Sequence, residues 1–421
     1  MTDVIEPDAT KPDAPLLDVL VAGGGYVGLS LAVSIKKAAP HLAVEVVDGA
    51  PAHVWQKDER ASAIVAAARN LLDVLGVWKE IAPEAEPIRR MVITDSRTAD
   101  PVRPVFLTFE GAGSGDDGQP FAHMVPNRAM TGSLLRQAEL LGIPVRWSTS
   151  AEGFATGQHA TDVTLSDGSA RKTRLLVACD GVRSKLRDMA GIKTVRFDYG
   201  QSGIVTTVEH ERPHDGTAEE HFLPAGPFAT LPLTGNRSSL VWTERTEDAR
   251  RLIESDDLVF EEELERRFGH KLGALKVVGG RRAFPLGLTL ARAFIAPRFA
   301  LAGDAAHGIH PISGQGLNLG FKDVAALAET IVEADRLGLD IGAVSVLERY
   351  ESWRRFDTVR MGVTTDVLNR LFSNDATPIR VLRDIGLGVV DRLPGLKSFF
   401  IRQAEGTTGG GHPRMLVGQR I

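Results

Sequence analysis

One cysteine, Cys179, occurs among the 421 residues. A lone thiol closes no intrachain disulfide and assembles no cysteine-based zinc cluster, so a reducing compartment, the cytoplasm, is expected. Positive charge is also short. With a net charge of -5 the chain offers no electrostatic footprint for nucleic acid, which needs a basic face to neutralise phosphates. No run reaches the roughly 18 to 20 uninterrupted apolar residues of a membrane-spanning helix. Any membrane contact is therefore expected to be peripheral, on the inner membrane face. Met1 to Pro15 carries acids and prolines but neither a basic start nor an apolar core, which speaks against a secretory signal and for a disordered tail. Absent too are a Gly-Xaa-Ser-Xaa-Gly elbow, a phosphate loop ending in Gly-Lys-Ser/Thr, a nucleophile triad and paired catalytic carboxylates. Such a chain suits chemistry carried by a cofactor, with the protein supplying position, electrostatics and exclusion of water.

What is present is the composition of an ordinary globular protein, 43% hydrophobic and 24% charged. Its length calls for two or three packed units. Leu16 to Ala22 is an apolar run broken only by Asp18, a buried parallel strand by pattern, and helical spacing follows at Val27, Leu31 and Ile35. Ala43 to Val47 completes a βαβ unit. Met130 to Leu141 reads as a helix, and Thr161 to Val177 as two strands joined at Asp167-Gly168. Short β-rich runs from Gly203 to Thr243 suggest an antiparallel sheet. Arg298 to Ala302 is again a strand, Gly314 to Ala334 a long helix, and Val344 to Phe372 is helical. The expected class is α/β: a Rossmann-type domain with an inserted antiparallel β-sheet domain and a C-terminal helical cap. The expected division is a tail at 1–15, a discontinuous Rossmann-type unit at 16–75, 121–189 and 283–343, an inserted unit at 76–120 and 190–282, and a C-terminal helical region at 344–421.

Gly23-Gly24-Gly25-Tyr26-Val27-Gly28 stands between the first strand and helix, with Asp48 twenty residues beyond Gly28 at the end of the second strand. In that context Gly23 permits the tight turn, Gly25 lets the backbone approach a pyrophosphate and Gly28 lets the helix pack on the sheet. Asp48 would accept hydrogen bonds from a ribose. By itself the motif does not separate FAD from NAD. A second strand-to-helix turn narrows the choice: Leu301-Ala302-Gly303-Asp304-Ala305-Ala306-His307, then Pro311-Ile312-Ser313-Gly314-Gln315-Gly316-Leu317-Asn318. Gly303-Asp304 can aim a carboxylate at a ribityl hydroxyl, and a Gly-rich helix start points N–H groups at an anion such as reduced flavin. Two such turns, far apart in sequence, argue for FAD stretched across the Rossmann-type domain, which makes it the FAD-binding domain and the inserted antiparallel β-sheet the substrate domain. Asp304, His307 and His310 lack a full metal-ligand set, so no metal is expected. Asp180-Gly181 also follows an apolar strand. Its residues alone balance a cofactor role against a helix capped by Ser184 with surface basic residues.

These motifs in this order resemble the single-component FAD-dependent aromatic hydroxylases of the para-hydroxybenzoate hydroxylase fold, and within them the hydroxylases of ubiquinone biosynthesis. The closer likeness rests on Asp58 through Ala63, Tyr199-Gly200-Gln201, Gly226-Pro227 through Leu231-Pro232-Leu233, Val241-Trp242, and Gly303 through Gly320. The resemblance makes Asp180-Gly181 the second dinucleotide motif and Gly303-Asp304 the third. It implies that Arg60 and Asn127 contact FAD together with Gly314, Gly316 and Asn318, and that Pro311 and Gln315 are the catalytic candidates, Pro311 near the flavin edge where oxygen reacts. Departures are the acid in Ala404-Glu405-Gly406 and the Gly111 to Gly118 insertion.

The resemblance further implies that NAD(P)H or another donor reduces FAD, and that O2 then forms a flavin hydroperoxide which hydroxylates the ring of a polyprenylated phenol. The β-rich unit around Gly203 to Trp242 would line an apolar tunnel for the tail. Two other readings stand beside this one: a reductase or dehydrogenase on the same fold, and a non-catalytic part of a quinone-biosynthesis protein complex. From Ile379 to Arg402, apolar residues interleave with Arg380, Arg383, Arg392, Lys397 and Arg402. Such a segment either packs on the flavin domain or lies on an anionic membrane.

Overall fold

The computed structural model describes residues 15–96, 105–110, 120, 122–309, 316–372 and 413–421. The expected tail up to residue 14, the Gly111 to Gly118 insertion and the segment 379–402 lie outside them.

The first sheet is built on Leu16–Ala22, which runs parallel to Ala170–Ala178 on one side and to Val44–Val47 on the other. Val145–Arg146 extends it beyond Val44–Val47, and Phe299–Leu301 joins the far side of Ala170–Ala178, both in parallel. Val19, Leu20 and Val21 are fully buried, because helices cover both faces of a parallel sheet. Tyr26–Ala38 and Gly316–Arg336 pack against each other, and Asn127–Leu140 packs on Tyr26–Ala38. The strand pair joined at Asp167-Gly168 is Thr161–Leu165 with Ala170–Ala178, and Ala151–Thr156 lies outside it.

The second sheet is largely antiparallel. Its order is Arg282–Ala291, Thr194–His210, Arg237–Arg245, Gly226–Leu233 and Thr217–Leu223, with Arg90–Asp95 added in parallel and Val105–Glu110 beyond it. The Tyr199-Gly200-Gln201 string falls at a register shift against Arg282–Ala291, where Gly200 takes φ 63°. One face carries Ile204, Phe228, Leu240 and Trp242, which form a separate core with helices Thr246–Glu254 and Asp257–Phe268. The other face turns to the FAD-binding unit, where Ala218 and Leu233 join that unit's core.

Two divisions expected from sequence need correction. Arg282–Ala291 belongs to the second sheet, so a boundary at 283 assigns a substrate-side strand to the FAD-binding unit. Glu86–Ile88 pairs with Ala122–Pro126, which also pairs with Ala61–Val65, so a small third sheet joins segments from both sides of the boundary at 76. The helix Val344–Phe372 follows, and the C-terminal residues return to the first unit. There Met415 and Leu416 are buried, Arg414 donates to Glu329 from its backbone N–H (2.7 Å) and Nε (3.1 Å), and Asn70 Nδ2 donates to the Leu416 carbonyl at 3.0 Å. No described helix is long and apolar enough to cross a membrane.

Candidate cofactor site

The N-terminal turn is fixed by close backbone contact. Gly23 has φ 122°, and a Cβ there would lie 2.3 Å from the Cys179 carbonyl oxygen; one on Gly28 would lie 1.9 Å from the Gly23 carbonyl oxygen. Gly25 differs, since a Cβ there would meet nothing within 4 Å. The turn is thus packed tightly beneath and left open at Gly25, at the N-terminus of Tyr26–Ala38, which is the cradle a pyrophosphate requires. Asp48 Oδ2 accepts from the Gly24 N–H at 2.6 Å, and Oδ1 accepts from the Ala50 N–H at 2.7 Å. Each oxygen keeps a second lone pair that a ribose hydroxyl could use.

Arg60, Asn127 and Asp304 converge beside this turn. Arg60 grips Asp58 with two parallel bonds, Nε to Oδ1 and Nη2 to Oδ2, both 2.8 Å. Burial alone would push the Asp58 carboxyl up, but Arg60 outweighs it and holds the group below its usual range. Asn127 is buried, accepts from Ser62 Oγ at 2.8 Å and donates from its backbone to the Arg60 carbonyl at 2.9 Å. Tyr26, the first residue of its helix, is near enough to feel the charges of Arg60, Asp304 and Asp58, and burial pushes its phenol up.

Asp180 and Asp304 each keep surface open to solvent while protein surrounds them on their other sides, as at the floor of a cleft. For both, the crowding pushes the carboxyl up. At Asp304, His307 and Arg60 pull the other way, while Asp323 adds to the rise; at Asp180, bonds to Ser184 and nearby backbone oppose it. Carboxyls partly stripped of water, with room above them, are suited to gain hydroxyl donors from a ligand.

Behind the Gly303 turn stands a buried network that sequence reasoning missed. Asp323 accepts from the Gly303 N–H at 2.9 Å and from His307 Nε2 at 2.6 Å on one oxygen, and from Arg354 Nε at 2.7 Å on the other. Burial would push this carboxyl up, yet His307 and Arg354 hold it below its usual range. His307 is therefore occupied within the turn's support. Arg187, expected among surface basic residues, is fully buried. It donates to the Ala305 carbonyl at 2.9 Å and the Val182 carbonyl at 3.1 Å, tying the Asp180 turn to the Gly303 turn. Ser184 does cap the helix Lys185–Met189, accepting from the Arg187 N–H. The side-chain signal available in sequence was slight: Arg187 follows the buried Leu186 on a short capped helix.

Asn318 was expected to contact the cofactor. Its side chain ties the start of Gly316–Arg336 to the strand Ala61–Val65, donating to the Ala63 carbonyl at 2.8 Å and accepting from the Val65 N–H at 3.2 Å. Gly316 opens the helix as described. Pro311, Gly314 and Gln315 lie outside the described residues, as does His310. A pocket next to this cleft is lined by Glu59, Arg60, Val205, Thr207, Arg282 and Phe284, with the Arg60 guanidinium 5.6 Å from the centre of the Phe284 ring.

A fold of this plan with three strand-to-helix turns around one cleft defines an FAD-binding flavoprotein, and residues 16–357 match the FAD-binding domain family. Among solved structures, p-nitrophenol 4-monooxygenase from Pseudomonas putida superposes with a TM-score of 0.77 at 18% identity, covering 94% of this chain and 99% of that chain. An FAD complex of a Klebsiella pneumoniae HpxO variant gives 0.74 at 17% identity, covering 94% and 100%. At such identities the likeness speaks for fold alone. Closer in sequence, ubiquinone hydroxylase UbiL of Rhodospirillum rubrum is 43% identical over 98% of this chain and 96% of its own length. The 3-demethoxyubiquinol 3-hydroxylase of Escherichia coli is 32% identical over 92% and 98%. The chain belongs to the ubiquinone-biosynthesis hydroxylases, FAD-dependent aromatic-ring monooxygenases.

Proposed function

We infer that this chain hydroxylates the aromatic ring of a polyprenylated phenol in ubiquinone biosynthesis, using FAD, O2 and NAD(P)H or another donor. The observation that carries this reading is 43% identity to a ubiquinone hydroxylase along nearly the whole chain. The open cradle at Gly25 fits the cofactor. Gly23, Gly25 and Gly28 would seat the pyrophosphate, Asp48 the ribose, and Asp304 the ribityl chain, with Arg60, Asn127 and Asp180 around the cleft. Bound and reduced, FAD supplies the activation of O2. Pro311 and Gln315 are the candidates for contact with the reacting groups.

The chain's own contribution is position and dryness. Half-buried Val205, Ala229, Leu231 and Val241 give the sheet an apolar surface on the side turned to the FAD-binding unit, suited to a ring bearing a hydrocarbon tail. Arg187 and Asp323 hold the second and third turns in register. The test is conversion of a prenylated phenol under labelled O2 with product mass analysis. One labelled oxygen atom in the ring product is expected; turnover without label would assign a reductase instead.

We also propose that the basic, apolar segment 379–402 contacts anionic membrane, since a substrate with a long prenyl tail partitions into lipid. Salt-sensitive sedimentation with anionic vesicles is expected, weakened when Arg380, Arg383 and Lys397 become Gln. Equal sedimentation of both proteins would exclude the segment. Membership of a quinone-biosynthesis protein complex is a further proposal, tested by the size of the particle purified from its host.

A further inference from the structure

Glu220 lies in the strand Thr217–Leu223 and is 5% exposed. Its two neighbours on the opposite face are satisfied: Glu219 pairs with Lys271, and His221 bonds Thr94 Oγ1 at 2.6 Å and Ser96 Oγ at 3.1 Å. Glu220 points the other way, with Ala218 and Phe222, and its carboxyl has no hydrogen-bond or ion-pair partner among the described residues. Burial alone pushes that carboxyl up to about 8, so near neutral pH it is mostly a protonated acid, donor and acceptor at once.

Its surroundings give the group a use. Across the sheet, Glu220 is in register with Ala229, then Val241, Val205 and Arg282. At the usual strand spacing the row from Val205 to Glu220 covers roughly 14 Å. Val205 and Arg282 already line the pocket beside Arg60, and Val241 and Ala229 are half-buried. One unpaired carboxyl thus interrupts an apolar row that begins beside the cofactor cleft and passes on, in register, to Ile93 of the next strand. A lone polar group on an apolar wall is costly to bury unless a ligand answers it, and it then fixes that ligand's orientation.

We propose that Glu220 recognises the hydroxyl group of the aromatic substrate, exchanging hydrogen bonds with the phenol and so setting which ring carbon faces the flavin. This rests on the ring-hydroxylating reading above. A phenol matches a protonated carboxyl because each can donate and accept; a methyl ether at the same position can only accept.

The test compares ortho-geranylphenol with its O-methyl ether, binding to the holoenzyme being followed through the flavin absorbance. Wild type is expected to bind the phenol about tenfold more tightly than the ether, the worth of one good hydrogen bond. In E220L the preference should vanish, with the loss in kcat/KM for the phenol appearing mainly in KM. E220Q, whose amide still donates and accepts, should restore most of it. E220M makes the same comparison where leucine is not accommodated. If E220L or E220M retains flavin and keeps the full phenol preference, Glu220 has no such role, while the ring-hydroxylating reading stands. If wild type neither binds nor hydroxylates either compound, that reading fails and the role of Glu220 with it.

Discussion

The buried guanidinium of Arg187 donates to the carbonyl oxygen of Ala305, 118 residues away in sequence, at 2.9 Å, joining two turns. Its other terminal nitrogen reaches the Val182 carbonyl, so one side chain sets the spacing of the Asp180 and Gly303 turns. Arg187→Met would leave both carbonyls short of a donor, at about 1 to 3 kcal/mol for the buried Ala305 carbonyl and less for that of the exposed Val182. A lower unfolding temperature and weaker FAD retention are expected together. Arg187→Lys, which can reach one carbonyl but not span both, should fall between. Unchanged stability and flavin content in Arg187→Met would show that the turns hold their spacing without it.

The glycines of the first turn separate into two kinds, and substitution should separate them too. A Cβ at Gly28 would collide with the Gly23 carbonyl, so Gly28→Ala must move backbone and should destabilise the fold by about 1 to 3 kcal/mol or more. Gly25→Val meets no protein atom near its Cβ, so the apoprotein should fold with near wild-type stability and yet fail to take up FAD. Circular dichroism melts with flavin absorbance distinguish the two. A Gly25→Val protein that binds FAD normally would remove this turn as the phosphate site.

Much of this arrangement was legible because tight turns write themselves in glycine and acid: Gly23, Gly28, Asp48 and Gly303 each occupy a position whose backbone contacts follow from the motif. Arg187 was not legible, because a charged side chain among other basic residues reads as solvated and only the tertiary packing buries it. Asp323 gathers Gly303 and His307 from one turn and Arg354 from the helix Val344–Phe372, a convergence no local spacing announces. The structural use of Asn318 was not legible for a related reason. Its place in a Gly-rich helix start suggests a ligand, while its amide answers backbone groups at Ala63 and Val65, more than 250 residues earlier. The strand Arg282–Ala291 has the same pattern whichever sheet it joins, so its membership had to come from pairing.

Asp304 stands at the cleft floor with its carboxyl pushed up by burial and crowded by Asp323. Asp304→Ala removes acceptors for ligand hydroxyls, and one charge-assisted hydrogen bond is worth about 1.5 to 3 kcal/mol, roughly a tenfold to hundredfold change in affinity. Because Asp304 keeps solvent-accessible surface and the cost of stripping water from its charge, with repulsion from Asp323, outweighs the pull of His307 and Arg60, the apoprotein should be no less stable than wild type. Equilibrium dialysis of FAD with the refolded apoprotein gives the affinity directly. Full flavin occupancy at unchanged affinity would remove Asp304 from the binding set.

Glu220 makes a prediction about pH that is independent of any ligand. In the fold its carboxyl is raised to about 8 from an ordinary 4.5, so between those values the folded chain holds a proton that the unfolded chain releases. Stability changes with pH in proportion to protons bound unfolded minus folded, and here that difference is negative. The contribution is therefore fully present below 4.5 and is lost as pH rises through about 8. Glu220→Gln cannot ionise and lacks this slope. The gap in urea midpoint between E220Q and wild type should open in favour of E220Q as pH is raised from 5 to about 8, and narrow again towards acid. Parallel midpoints across that range would mean that the carboxyl is paired or hydrated in solution, and the apolar row through Ala229 and Val241 would then hold no unanswered acid.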